Sequence, residues 1–318
     1  GFAPNLVTCK RRDGSGDNWG VFDTVRGATK ELNTNANGAE GTCANCLTSF
    51  DSNGFTLGDN GGMNGSGETY VAWNWLGSGS NANNTDGTIS STVNVNASAG
   101  FSIVSYTGTG SNATVGHGLG ATPNFILVKN RGTSARIWLV YHSANKAATG
   151  AGHTEYLSLN NADLSYDDNS AWNDTAPTST VFSVGTSASA NNSSEGHIAY
   201  CWSAVEGYSK FGSYTGNGDA DGHFVPLGFK PAWIMLKMNS TNGYNWLIFD
   251  NKRIGYNQEN HMLLPNETHE EKTTGYGEID ILSNGFKLRS SENDGNKSGD
   301  TFVYMAFAET PFKYANAR

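Results

Sequence analysis

One pattern recurs three times along the chain, and it restricts the fold more than any other feature. The strings GFAPNLV (1–7), GATPNFILVK (120–129) and GFKPAWIMLK (228–237) each place a proline turn before an apolar run. From Pro4, Pro123 and Pro231 the same 15-residue step reaches Trp19, Trp138 and Trp246. A short apolar strand follows each tryptophan, then the related segments SNGFTLG (52–58), TVFSVG (180–185) and SNGFKL (283–288). Each copy closes on an aromatic run: YVAWNW (70–75), HIAYCW (197–202) and FVYMAF (302–307). Residues alternate faces along these runs, with Gly, Asn and Ser at their borders, as sheet strands require. A repeat of this size is one supersecondary unit used several times.

The expected fold is therefore all-β, built of tandem antiparallel β-sandwich repeats of jelly-roll or concanavalin-like kind. The units expected are 1–76, 77–205 and 206–318, with 77–86 as a flexible Ser/Asn/Gly linker and residues 89–95 as one added strand. Composition agrees. Charged residues make up 15% of the chain while 40 glycines and many Asn, Ser and Thr replace them, which suits short strands and turns rather than long helices. With 8 Trp, 13 Tyr and 15 Phe the chain can bury a core. Its net charge of −9 disfavours nucleic acid and anionic membrane as partners, and no apolar stretch has membrane-spanning length.

Two copies are preceded by a lead-in segment, GFSIVSYTG (100–108) and GYSKFGSYTG (207–216), which the first copy lacks. Either residue 1 is not the natural start, or the first unit borrows its missing strand from elsewhere.

The strings FGSYTGNG (211–218), TSFDSNGFTLG (48–58), NGSGETYVAW (64–73) and the ending MAFAETPFKYANAR (305–318) resemble a repeat domain of marine bacteriophage and cyanophage virion proteins. The resemblance implies a structural protein of a tail fibre or capsid appendage, extracellular on the virion, with a concanavalin- or SPRY-like sandwich. It implies no catalytic residues. By the same analogy the chain is expected to be a homo-oligomer, a trimer, that contacts other virion proteins and host surface glycans.

Candidate chemistry is sparse. Aromatics that do not recur are better placed to touch ligand than those that do. Trp172, Tyr166, Tyr244 and Tyr256 fall in polar, variable segments expected to be exposed, and are the candidates for glycan stacking. Trp19, Trp138 and Trp246 are expected in the core, with Asp23–Arg26 and Asp250–Arg253 as structural ion pairs; the middle copy has His142 and Asn145 there. Asp219 and Asp221 resemble part of a calcium loop without its bidentate Glu, so calcium is the one cofactor considered. Glu278-Ile279-Asp280 resembles a glycoside-hydrolase strand, but Ser283 stands where the second carboxylate would be. Cys43 and Cys46 form a lone CxxC, read as structural first, then as a local disulfide, and last as a metal site. His117 lies in a Gly-rich turn, and the other histidines are scattered without zinc spacing. The alternative reading is a jelly-roll carbohydrate-active enzyme or carbohydrate-binding module.

Overall fold

The structure, a computed structural model, describes residues 1–132 and 135–310; the PFKYANAR ending lies outside the described residues. Strand occupies 39% of the chain against 6% helix, and the strand ladders are antiparallel, so the protein is all-β. In each copy an opening strand sits between a strand that starts at or just after the repeated tryptophan and the closing strand. These are Leu6–Arg11 between Gly20–Asp23 and Tyr70–Trp75, then Phe125–Asn130 between Leu139–His142 and Gly196–Trp202, then Pro231–Met238 between Trp246–Asp250 and Thr301–Ala308. In the second and third copies the lead-in strand, Phe101–Thr107 or Ser209–Thr215, pairs with the far side of the closing strand.

The apolar runs are continuous because these strands are buried on both faces. In the second copy, Phe125 and Leu127 face a core shared by all three copies. Ile126 and Val128 face a core of that copy alone, completed by Val115, Phe182 and Val184 of a smaller two-stranded sheet, Ala113–Gly116 with Val181–Val184. The third copy repeats this with Trp233 and Met235 inward and Ile234 and Leu236 outward. The first repeats it with Leu6 inward and Val7 and Cys9 outward.

The 77–86 segment is not a plain linker. Ala82–Asn84 forms a strand against Ser91–Asn96, which itself pairs with the lead-in strand Phe101–Thr107. Asn side chains make this polar stretch adhere: Gly77 N–H donates to Asn5 Oδ1 at 2.8 Å and Ser78 N–H to Asn94 Oδ1 at 2.7 Å. Polar composition was a poor guide here, because carboxamides can supply the bonds that apolar contacts do not.

The copies close a ring. Trp138 Nε1 donates to Asn33 O of the first copy at 2.8 Å, Trp246 Nε1 to Ser158 O of the second at 2.9 Å, and Trp19 Nε1 to Leu264 O of the third at 3.0 Å. All three indoles are at most 1% exposed, so these bonds satisfy donors that burial would otherwise orphan. Three buried lysines at the ends of the opening strands follow the same cycle. Lys129 Nζ reaches Asn37 O, Lys237 Nζ reaches Ala162 O and Lys10 Nζ reaches Thr268 O, at 3.0, 3.4 and 3.3 Å. Each also bonds the carbonyl seven residues ahead of itself, at Arg136, Tyr244 and Asp17. Burial lowers the Lys237 pKa to about 7 and that of Lys129 to about 8.

Two of the three joints between copies are ionic and one is neutral. At the first, Arg26 Nε meets Asp23 Oδ2 at 2.5 Å, both side chains fully buried, and Tyr200 of the second copy donates to the same oxygen at 2.7 Å. At another, Arg253 meets Asp250 at 2.6 Å, and Trp73 Nε1 of the first copy donates to Asp250 at 3.2 Å. Glu40 and Glu271 extend these clusters to Arg131 and Arg12 of the adjoining copy, with bonds of 2.8 to 2.9 Å. At the joint between the second and third copies, Met305 takes the place of Tyr200 and Trp73 and cannot donate. There the ion pair is replaced by His142, whose Nε2 lies 3.0 Å from Tyr304 O, and Asn145, bonded to Asn239 at 2.7 Å. Burial lowers the His142 pKa to about 4, against the weaker pull of that carbonyl, so this imidazole is uncharged at neutral pH. On the ring interior an apolar cavity of about 70 Å3 is lined by Trp19, Trp73, Trp75, Trp202 and Trp233 among others.

Candidate functional site

The four aromatics expected at ligand do not gather. Trp172 is a correction: it is 2% exposed, packed in the second copy's core at the end of the helix Asn169–Trp172 and 6.0 Å from Tyr141. The second copy carries an insertion there, and that insertion brings its own core residues, so a position that does not recur is not for that reason exposed. Tyr244 is half-buried beneath the Lys297 ammonium, 5.2 Å from its ring centre. Tyr166 is 38% exposed on the strand Tyr166–Asp167 and leans on Tyr156. Tyr256 is 69% exposed and stands at the rim of a cavity.

That cavity, about 130 Å3, is lined by Lys230, Asn251, Gly255, Tyr256, Asn257, Glu259 and Ile281. It has room for roughly four waters. It forms where the chain leaves the strand Trp246–Asp250 and returns along Ile279–Leu282. Asn257 pins the returning loop: its Nδ2 donates to Ile281 O at 3.0 Å, and its Oδ1 accepts from Ile281 N–H at 2.9 Å. Glu259 pairs with Ile279 through both backbone groups at 2.7 and 3.0 Å. Asn251 is fixed by its backbone N–H to Ala232 O at 3.0 Å.

Two polar groups inside this cavity are incompletely used. Both side-chain atoms of Asn251 are buried and make no hydrogen bond among the described residues. A buried carboxamide without partners costs about 1–3 kcal/mol, so such groups tend to belong to sites where something else binds. Glu259 is 1% exposed, and His261 N–H donates to its Oε1 at 3.2 Å. Burial pushes its pKa up to about 7, against the attraction of Arg253. Near neutrality this carboxyl is divided between a form that only accepts and a form that also donates. An exposed aromatic ring, an unpartnered carboxamide and such a carboxyl can stack on and hydrogen-bond a hydroxyl-rich ligand. Lys230 at the rim is held by Glu309 at 2.8 Å.

A carboxyl with raised proton affinity in the folded chain binds protons more tightly folded than unfolded. Its contribution is fully present below pH 4.5 and is lost as pH climbs to about 7. Glu259→Gln should therefore match the wild type in unfolding free energy at pH 4.5 and exceed it by about 1–3 kcal/mol at pH 8. Denaturant titrations at the two pH values check this; a difference independent of pH would contradict the assignment.

The remaining candidates are engaged elsewhere. Asp221 is bound by Lys287 at 3.0 Å and Arg289 at 2.9 Å, and two cations against one carboxylate are the reverse of a calcium cage. Asp219 accepts from the Asp221 backbone at 2.9 Å. Asp280 pairs with Arg289 at 3.3 Å. Cys43 and Cys46 are joined in a disulfide, with Glu31 beside the sulfurs. Cys9 and Cys201 are free and buried, and burial raises the Cys9 thiol to about 12. His197 is fully buried and stacks on Tyr106 with ring centres 5.1 Å apart. Among the described residues no helix is long and apolar enough to cross a membrane.

A family model described as a domain of unknown function (DUF7483) matches residues 1–311. No curated protein and no solved structure matches the chain.

Proposed function

The chain belongs to the DUF7483 family, and from that premise we propose that it is a non-enzymatic structural and adhesive module that holds a carbohydrate at the Tyr256 cavity. The observation that carries the reading is the Asn251 carboxamide, buried and without a partner among the described residues, beside the exposed Tyr256 ring and the Glu259 carboxyl. A sugar offers an apolar face to the ring and paired donor and acceptor hydroxyls to the two polar groups. The surrounding framework suits a display role: each copy keeps its own core beneath the shared one, in what we take to be small jelly-roll or concanavalin-like sandwiches. The setting, a phage virion appendage facing the host surface, rests on the resemblance of the sequence motifs alone.

A glycan array followed by titration of the best ligand tests the proposal. Tyr256→Ala and Asn251→Ala should each weaken binding by about tenfold or more, as loss of a stacking ring or a buried bonding partner does. Because Tyr256 is 69% exposed, its replacement should leave the melting temperature within about 1 °C. No saturable glycan binding by the wild type, or binding untouched by either substitution, would remove the reading; release of reducing sugar by the wild type would replace it with a hydrolase.

A further inference from the structure

We propose that Glu31, Cys43 and Cys46 form a redox-gated site for a soft divalent cation of the zinc class, held when the two cysteines are reduced and released when they are joined. A carboxylate oxygen of Glu31 and the two sulfurs all lie within 4.8 Å of one another. Two thiolates spaced Cys-x-x-Cys and one carboxylate are donors that zinc takes, with the fourth position left to water. Asn45 Oδ1, 3.7 Å from Cys43 Sγ, is a further oxygen within reach. Zinc–sulfur bonds of about 2.3 Å at tetrahedral angles set two sulfurs about 3.8 Å apart. Cα atoms 5.4 Å apart allow that span once the covalent bond is broken. Asn60 Nδ2 donates to Cys43 Sγ at 3.7 Å, the kind of outer contact that supports a ligating thiolate.

The three ligands are held in place by bonds other than the disulfide. Glu31 lies on the strand Lys30–Glu31, which pairs with Gly41–Thr42, and Cys43 follows that strand directly. Cys46 directly precedes the strand Leu47–Asp51, which pairs with Gly54–Leu57. Between them, Cys43 N–H donates to Thr29 O at 2.9 Å, Cys46 N–H to Cys43 O at 3.3 Å and Gly58 N–H to Cys46 O at 2.8 Å. Close approach fixes the glycine, since a Cβ on Gly58 would stand 2.5 Å from Asn45 O. A disulfide closing so short a loop restrains the chain less than one closing a long loop, so its reduction leaves this scaffold standing. Cys46 is 1% exposed, whereas Cys43 is half-buried between the exposed Thr42 and Ala44. A thiolate of an external dithiol therefore attacks Cys43 Sγ, the sulfur–sulfur bond breaks and Cys46 leaves as a thiolate. The second sulfur of the dithiol then displaces Cys43 and departs as a disulfide, so two electrons pass from the dithiol to the cysteine pair. The ion takes both sulfurs as thiolates, and their two protons go to solvent. Arg26 and Lys30 are engaged by Asp23, Glu40 and Thr42, and no ion pair holds the Glu31 carboxylate among the described residues.

The test compares the full chain, oxidised, with the same chain after reduction by a dithiol that is then removed without air. The reduced chain should take up one zinc ion with a Kd below about 1 μM in competition with a chromogenic chelator. Cobalt in place of zinc should give the strong visible bands of tetrahedral coordination and thiolate-to-metal charge transfer. The oxidised chain should do neither, and zinc should raise the melting temperature of the reduced chain alone. Glu31→Gln should bind zinc at least about tenfold more weakly after reduction, and Cys43→Ser should not bind it. Because the main comparison uses one unaltered sequence, a misfolded variant cannot imitate the result. A pair that the dithiol does not reduce in the folded chain, a reduced chain that takes no zinc, or equal uptake by the oxidised chain would overturn the proposal. So would undiminished affinity in Glu31→Gln, or zinc retained by Cys43→Ser, which would put the ion on other residues such as Cys9 or Cys201.

Discussion

Trp138→Ala is expected to lower the unfolding free energy by about 3–5 kcal/mol and the melting temperature by about 5–10 °C. The indole is fully buried in the core that all three copies share, and its bond to Asn33 O is one of the three that join the copies into a ring. Truncation leaves a cavity in that shared core, leaves the Asn33 carbonyl with the Ala36 N–H at 3.2 Å and withdraws the ring that lies 5.9 Å from the Lys129 ammonium. The loss should be felt by the whole chain, so calorimetry should still record a single transition at the lower temperature. Trp138→Phe, which keeps most of the volume and loses only the donor, should cost about 1–2 kcal/mol. If the alanine variant melted within about 1 °C of the wild type, or if one copy melted ahead of the others, the shared core would not have the role assigned to it.

Arg26→Ala should be nearly as damaging, at about 3–5 kcal/mol. Its guanidinium is fully buried. Burial disfavours its charge, but Asp23, Tyr200 and Glu40 outweigh that and hold its pKa above the ordinary value. Removing it leaves Asp23 in the interior with the Tyr200 hydroxyl at 2.7 Å and backbone N–H groups as its remaining support. The middle joint shows how a neutral set fills the same place. Replacing Asp23 and Arg26 together by the His and Asn found at positions 142 and 145 should therefore cost less than Arg26→Ala alone. Chemical denaturation of the single and double variants measures the difference. A single variant within about 1 kcal/mol of the wild type, or a double variant worse than the single, would refute the account of the joint.

Repetition made the strands legible in the sequence. Glycine-bordered apolar runs identified all three closing strands and both lead-ins, and the Pro-to-Trp step aligned the copies residue by residue. Ring closure was not legible, because its acceptors are the carbonyls of Asn33, Ser158 and Leu264, and a carbonyl leaves no trace in residue identity. The lysines ending the opening strands were visible, yet an isolated lysine reads as surface unless its acceptors are known. The Tyr256 cavity was half legible. An exposed, non-recurring tyrosine could be singled out, but Glu259 and Asn251 acquire their meaning from burial by a loop whose path depends on the Asn257 clasp. The same logic of non-recurrence failed for Trp172, where an insertion carries its own core.

The bond from Trp19 to Leu264 spans 245 residues, and it has a consequence during synthesis. At translation speeds of about 5–20 residues per second, the first tryptophan waits roughly 12–50 s for its acceptor to leave the ribosome. Until then the side of the first copy that meets the third stays uncovered, exposed to whatever nascent or chaperone surface lies nearby. Shutting the circle is therefore a late event, and the first copy is sealed on that side only after the third has been made.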